Sequence, residues 1–342
     1  MNALRAKAGR ALRRMGRVRL GGSQAPVILM YHRVAAPPFD PFGLCVAPAI
    51  FARQIAWLRS KRTVVSTDEL VATLRSRRPA TGSIAVTFDD GYADNAAVAA
   101  PILAREGCPA TVFVTTGAID SGNPYWWDEL AALVIGSQEA ARFDIRIPGI
   151  RLTAEWGRPD GATRAIADWR VGMPAPDARC AAYLALWKQL QRADAEARDQ
   201  AMAALRHHLP RPANLDDETI GRPMNGSELR SLTDMGVYLG GHARTHTPLP
   251  LGSVSKQREE IEGGRHDLAI LSETYASGFA YPYGQWDRQT RSAVRQAGFS
   301  WAVTTKEMAV NPQRYDLYAL PRLAVGNWEE IVFEQRLASI GG

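Results

Sequence analysis

Two carboxylates stand side by side in Thr87-Phe-Asp-Asp-Gly91, and two histidines stand four apart in His242-Ala-Arg-Thr-His246. Adjacent carboxylates repel one another unless a proton or a cation separates them. Neighbouring side chains on an extended segment point apart, so one of the pair can face a metal and the other a substrate. An Asp-Gly turn is the plain structural alternative. The chain has only six histidines, and a spacing of i, i+4 puts two imidazoles on one face of a helical turn. Two histidines and one carboxylate make three ligands and leave a position for water, as in catalytic zinc sites.

Such groups meet only if the fold delivers them to one place. Short β-branched or aromatic runs at 27–32, 63–66, 83–89, 110–115, 237–241, 278–281, 300–305 and 320–325 alternate with helical patterns of ten to twenty residues. Phe51, Ile55 and Leu58 share a helix face, Ser66 with Glu69 and Asn225 with Glu228 open helices, and Gly298 closes one. This alternation predicts an α/β fold with a parallel sheet closed, or nearly closed, into a barrel. The regularity breaks at about 124–222, read as a mainly helical insertion between polar and Pro/Gly-bearing segments. Residues 1–24 form a basic tail, and 25–342 the domain. In a barrel the reactive groups gather at the carboxyl ends of strands. There lie His32, Asp89, Asp90, His242, His246, Tyr281, Tyr283 and Arg322.

Thr87–Gly91, His242–His246 and Tyr281-Pro-Tyr-Gly284, in this order, resemble the polysaccharide deacetylase family, the NodB-homology domains of carbohydrate esterase family 4. Met30-Tyr-His-Arg-Val34 and Leu320-Pro-Arg-Leu323 resemble its exopolysaccharide-type branch. The resemblance implies a distorted (β/α)7 TIM-like barrel that removes N-acetyl groups from sugar polymers with a bound divalent metal, usually zinc. It assigns Asp89 as general base and Asp90, His242 and His246 as metal ligands. The backbone N–H of Tyr283 would help hold the oxyanion. Two features depart from the family pattern. Ala280 stands where an arginine is usual, and no histidine after His266 is available as general acid. Arg322 is therefore expected to steady Asp89, with His32 assisting proton transfer or serving as a buried hydrogen-bonder.

Tyr281, Trp126 and Trp127 are read as sugar-contacting residues, with packing of the insertion as the alternative for the tryptophans. His207-His208 fits a helix C-terminus, and His266 a solvated face. The net charge of +6 is local: outside the seven basic residues between Arg5 and Arg19 there are 34 basic groups against 35 acidic. No basic groove for nucleic acid is indicated. Leu4, Ala8, Leu12 and Met15 recur at helical spacing among those arginines, so residues 1–20 are read either as a peripheral membrane contact or as a solvated terminus. No secretory signal is apparent and Cys45, Cys108 and Cys180 suggest no disulfide framework, so the expected location is the cytoplasm, at the inner membrane surface if the tail engages it. The expected substrate is an N-acetylated oligo- or polysaccharide. A metal-dependent phosphoesterase and a non-catalytic carbohydrate-binding protein are the competing readings.

Overall fold

The computed structural model describes residues 25–159, 163–210, 212, 216 and 220–341. The basic tail lies outside the described residues. In chain order the barrel begins with strand β1 (Val27–Tyr31), helix α1 (Pro48–Lys61), β2 (Thr63–Val64), α2 (Thr67–Arg75), β3 (Ser83–Phe88), α3 (Ala100–Arg105) and β4 (Ala110–Val114). The insertion follows, with α4 (Trp126–Val134), β5 (Ala141–Ile147), β6 (Ile150–Trp156), α5 (Thr163–Asp168), α6 (Ala178–Arg192) and α7 (Ala195–His208). The barrel resumes with α8 (Gly226–Asp234), β7 (Val237–Gly241), α9 (Val254–Ser272), β8 (Gly278–Ala280), α10 (Arg288–Gln296), β9 (Trp301–Val303), β10 (Leu323–Ala324) and α11 (Glu330–Gly341).

Every pairing in the main sheet is parallel, in the order β10-β1-β3-β4-β7-β8-β9, with β2 beside the start of β3. Closure comes from one segment near the C-terminus: Leu320 bridges Val303 of β9, and Leu323 pairs with Leu29 of β1. The sheet therefore curls into the distorted barrel that the strand–helix alternation predicts. β1 is buried along its whole length, as a strand covered on both faces must be. Alternate residues serve two cores. Leu29, Val86 and Val112 pack outward against helices, while Ile28, Ala85, Phe113, Ala280 and Val303 form a smaller cluster with Leu70, Val71 and Leu74 of α2. Both predicted capping boxes form, at Ser66 with Glu69 and at Asn225 with Glu228.

The insertion has its own core, built on Trp126, Trp127, Leu130, Leu152, Trp156, Tyr183 and Leu205. It is not mainly helical throughout. β5 and β6 form an antiparallel hairpin joined at Pro148-Gly149, with Phe143, Ile145, Leu152 and Trp156 buried. The alternation is present in the sequence, but its charged outward residues make the stretch read as polar linker.

Gly240 on β7 shows how tightly the barrel interior is filled. A Cβ there would lie 2.3 Å from Cδ1 of Phe113. Gly240→Ala is expected to destabilise the protein by about 1–3 kcal/mol through overpacking, read as a lower denaturation midpoint in urea with an unchanged slope.

Candidate active site

Asp89 and Asp90 leave the end of β3 in opposite directions. Asp89 accepts both arms of the Arg322 guanidinium, at 2.6 Å to each carboxylate oxygen, and the two side chains are 3% and 0% exposed. Arg322 is itself held from several sides. Its Nε donates to the Thr304 carbonyl at 2.9 Å, its Nη1 reaches Thr87 Oγ1 at 3.1 Å, and its guanidinium lies over the Phe113 ring. Burial by itself would raise the Asp89 pKa, but the charge and hydrogen bonds of Arg322 outweigh it and hold the carboxyl below its ordinary range. Asp89 is thus an ionised, oriented carboxylate at neutral pH.

Asp90 adopts φ 76°, a left-handed conformation that turns it away from its neighbour. Its Oδ1 stands 3.3 Å from Nε2 of His242 and 3.2 Å from Nε2 of His246, and one ligand atom from each residue lies within 4.8 Å of the others. The backbone that achieves this is not the helical turn expected from the spacing. Residues 242–246 form an irregular loop in which Ala243 (φ 61°) and His246 (φ 53°) are both left-handed. Two reversals, rather than one turn of helix, aim the rings at the same point.

These residues fit a divalent cation. Asp90 Oδ1 is buried with no hydrogen-bond partner of good geometry, an arrangement costly unless a ligand satisfies it. His242 Nδ1 is 2.7 Å from the Ala280 carbonyl, which can only accept, so Nδ1 carries the hydrogen and the Nε2 lone pair faces Asp90. Without a cation, burial opposes charge at all three groups. The imidazoles nevertheless pull Asp90 well below the usual carboxylate range. The proximity of Asp90 and the charges of both carboxylates raise His242, whereas burial lowers His246. A cation needs the Nε2 lone pairs of both imidazoles, and Asp90 makes His242 easier to protonate, so affinity should weaken as pH falls.

The family profile described as polysaccharide deacetylase matches residues 76–140 and 213–302, which include both aspartates and both histidines. The two site-bearing segments are thus similar to polysaccharide deacetylases. The unmatched stretch between the two segments holds the hairpin and α5–α7. A curated relative from Bacillus subtilis (strain 168), "Putative polysaccharide deacetylase YxkH", is 30% identical over 89 residues, 25% of this chain and 30% of that protein's length. The fold resembles the Streptococcus pyogenes deacetylase PplD in complex with acetate (17% identity, TM-score 0.57, covering 94% of this chain and 100% of that one). It also resembles IcaB from Ammonifex degensii (17% identity, TM-score 0.55, covering 93% and 98%).

The remaining expected residues fall in different places. Tyr283 adopts φ 57° and sets its ring 4.5 Å from that of His246. Trp127 also lies 4.7 Å from the His246 ring, and both Trp126 and Trp127 line a cleft beside it. Trp127 also packs on Tyr125 and donates its indole N–H to Tyr92, so it serves the insertion core as well. Tyr281 does not reach a cleft. It is fully buried with its hydroxyl donated to the Tyr318 carbonyl, which corrects the reading of that side chain as a sugar contact. His32 is partly buried on the rim, close enough for its charge to favour the ionised forms of both aspartates. Sequence reasoning missed Tyr125, whose hydroxyl donates to the Asp90 carbonyl at 2.6 Å, and Arg198, which arrives from α7. Neither carries a spacing signal, because the insertion core alone brings them there.

Replacing Arg322 by lysine keeps the charge but removes the fork. Asp89 should then titrate at a higher pH, so that more of it is protonated on the acid side. Arg322→Lys is expected to move the acid limb of the kcat/KM profile upward in pH and to lower its plateau by about 10- to 100-fold, with metal content unchanged by elemental analysis. An unmoved acid limb would remove Arg322 from the control of Asp89.

Proposed function

We propose that the protein is a metal-dependent hydrolase that removes the N-acetyl group from a sugar unit of an N-acetylated oligo- or polysaccharide, of the exopolysaccharide or cell-envelope class. The observation that carries this reading is the division of labour between adjacent aspartates. One is locked ionised by a buried arginine, and the other is aimed with two imidazoles at a common point. A phosphoesterase usually clusters more carboxylates around two metals than this rim offers. The match of the site-bearing segments to the polysaccharide deacetylase profile and the acetate held by the PplD structure, the product such a reaction releases, support the same reading.

Asp90, His242 and His246 would hold the cation, and the nitrogen-rich donor set suits zinc. When bound, a divalent cation supplies Lewis acidity and makes water a better acid at neutral pH. Asp89 takes the proton of the attacking water, since Arg322 leaves it charged and fixes its direction. Tyr283, at its left-handed turn beside His246, fits the place where a backbone N–H would steady the developing oxyanion. His32 is the rim imidazole nearest to the proton traffic, and we assign it an assisting role in protonating the leaving amine.

The decisive assay is acetate release from N-acetylated oligosaccharides by protein loaded with zinc. Chelation should abolish release and zinc should restore it. Asp90→Asn should lose zinc stoichiometry, while Asp89→Asn should keep zinc and lose about 10²–10⁴ in kcat. Phosphatase activity without acetate release would favour the phosphoesterase reading, and metal-independent sugar binding alone a carbohydrate-binding protein. For His32→Ala, a fall in kcat with intact zinc content is expected, and near-full kcat would end its assisting role.

A further inference from the structure

The cleft beside His246, about 390 Å3 in volume, lies between barrel loops and the insertion. Its walls hold hydrogen-bond donors with nothing to donate to. Arg198 on α7 is 3% exposed, gives Nη2 to the Thr245 carbonyl at 3.0 Å and lies over the Trp126 ring. Its Nε and Nη1 are buried and reach no acceptor. Trp126 Nε1 in the same wall, and the hydroxyl of Tyr283 beside His246 outside that wall, likewise reach no acceptor. Trp187 connects them, with its ring 6.2 Å from each of the Trp126 and Tyr283 rings.

The other arginines of this cleft are neutralised. Arg206 forks onto Glu129 at 2.7 and 2.8 Å, and Arg244 onto Asp267 at 2.6 and 2.7 Å. Among the described residues no carboxylate forms an ion pair with Arg198. A buried cation that feels Asp199, Glu260 and Asp194 only at a distance and buried donors without acceptors are each unfavourable, and here they share one neighbourhood. The arrangement calls for an acceptor-rich, negatively charged group.

We propose that Arg198 binds an anionic substituent, a carboxylate or a phosphate, carried by the sugar substrate next to the reacting acetamide, which makes the enzyme selective for acidic glycans. The selectivity rests on the deacetylase reading given above, whereas the anion site itself does not. A guanidinium stacked on an indole and anchored through one nitrogen keeps its remaining N–H groups fixed in direction, so little order is lost when an oxyanion docks.

Two measurements test this on the zinc-loaded full chain. The first is binding of glucuronate and of inorganic phosphate by calorimetry. Wild type should bind at least one of them, Arg198→Gln about tenfold or more weakly, and Arg198→Lys in between. Preference for glucuronate would mark a uronate neighbour, and preference for phosphate a phosphorylated sugar. The second is the ratio of kcat/KM for acetate release from a hyaluronan tetrasaccharide to that from chitotetraose. This ratio should exceed one in wild type and fall about tenfold in Arg198→Gln. Equal anion binding by wild type and both variants, or a ratio unmoved by the substitution, overturns the proposal and leaves deacetylation standing. A structural strut between α7 and the Thr245 loop would give that second result, with both substrates losing rate together. Anion binding that depends on Arg198, without acetate release from either oligosaccharide, would uphold the site and overturn the deacetylase reading. If Arg198→Gln fails to fold, the lysine variant carries both comparisons, because it keeps the positive charge while losing the planar fork.

Discussion

The ion pair between Arg322 and Asp89 is the constraint around which the barrel mouth is arranged. Both groups are removed from water, and neither is tolerable there alone: removing one partner of such a pair typically costs about 3–5 kcal/mol because the other charge is stranded. The same segment that carries Arg322 also closes the sheet, since Leu320 pairs with β9 and Leu323 with β1. Closing the barrel and orienting the carboxylate are therefore one structural event. The hydrophobic interior stops where it does for the same reason. Phe113 lies beneath the guanidinium, while Thr87 and Thr304 meet its outer edges with oxygen atoms.

The ligand side of the mouth is held by a different device. Of the non-glycine residues with left-handed backbone among those described, Asp90, Ala243, His246 and Tyr283 all belong to the site loops. Each such residue carries strain of order 1 kcal/mol or more, which persists only when surrounding contacts over-determine the conformation. Here the contacts are visible. The Thr115 amide donates to the Asp90 carbonyl, as does the Tyr125 hydroxyl, and the carbonyls of Ala243 and Arg244 receive the amides of Thr116 and Gly117. A carboxylate and two imidazoles are held at one point by strained backbone that other contacts fix, so the loops, and not the ligands alone, set the geometry offered to a cation.

The barrel was legible because its signal is local. Buried strands such as 27–31 and 237–241 are short, apolar and flanked by turn or helix-start residues, and the eight runs picked out in the sequence all contain observed strands. The Asp-Asp pair and the paired histidines were legible as chemistry, yet the backbone between the histidines was not, because periodicity describes regular structure and this loop has none. Tyr281 was misplaced for a related reason: a strand-end tyrosine looks alike whether its ring turns to the rim or into the core, and the Tyr318 carbonyl that captures its hydroxyl lies in a distant loop. The hairpin at 141–156 was hidden by Arg142, Asp144, Arg146 and Arg151, whose outward charges mask the apolar residues between them.

Arg198 illustrates what no linear reading can supply. On α7 it is one charged residue among several, in a stretch whose composition suggests a solvated helix. Only the packing of α7 against α4 and the 245 loop buries it, and only then do its unsatisfied donors have meaning. The barrel end supplies a general hydrolytic centre built from strand termini, whereas the wall facing it comes from a segment with a separate core. The site is thus framed by two parts of the chain with separate cores that meet at the Asp90 and His246 loops. Tilting α7 would leave the side-chain bonds of Asp89 to Arg322 and of His242 to the Ala280 carbonyl in place, whereas His246 and Asp90 also feel the insertion through Trp127, Arg198 and Tyr125.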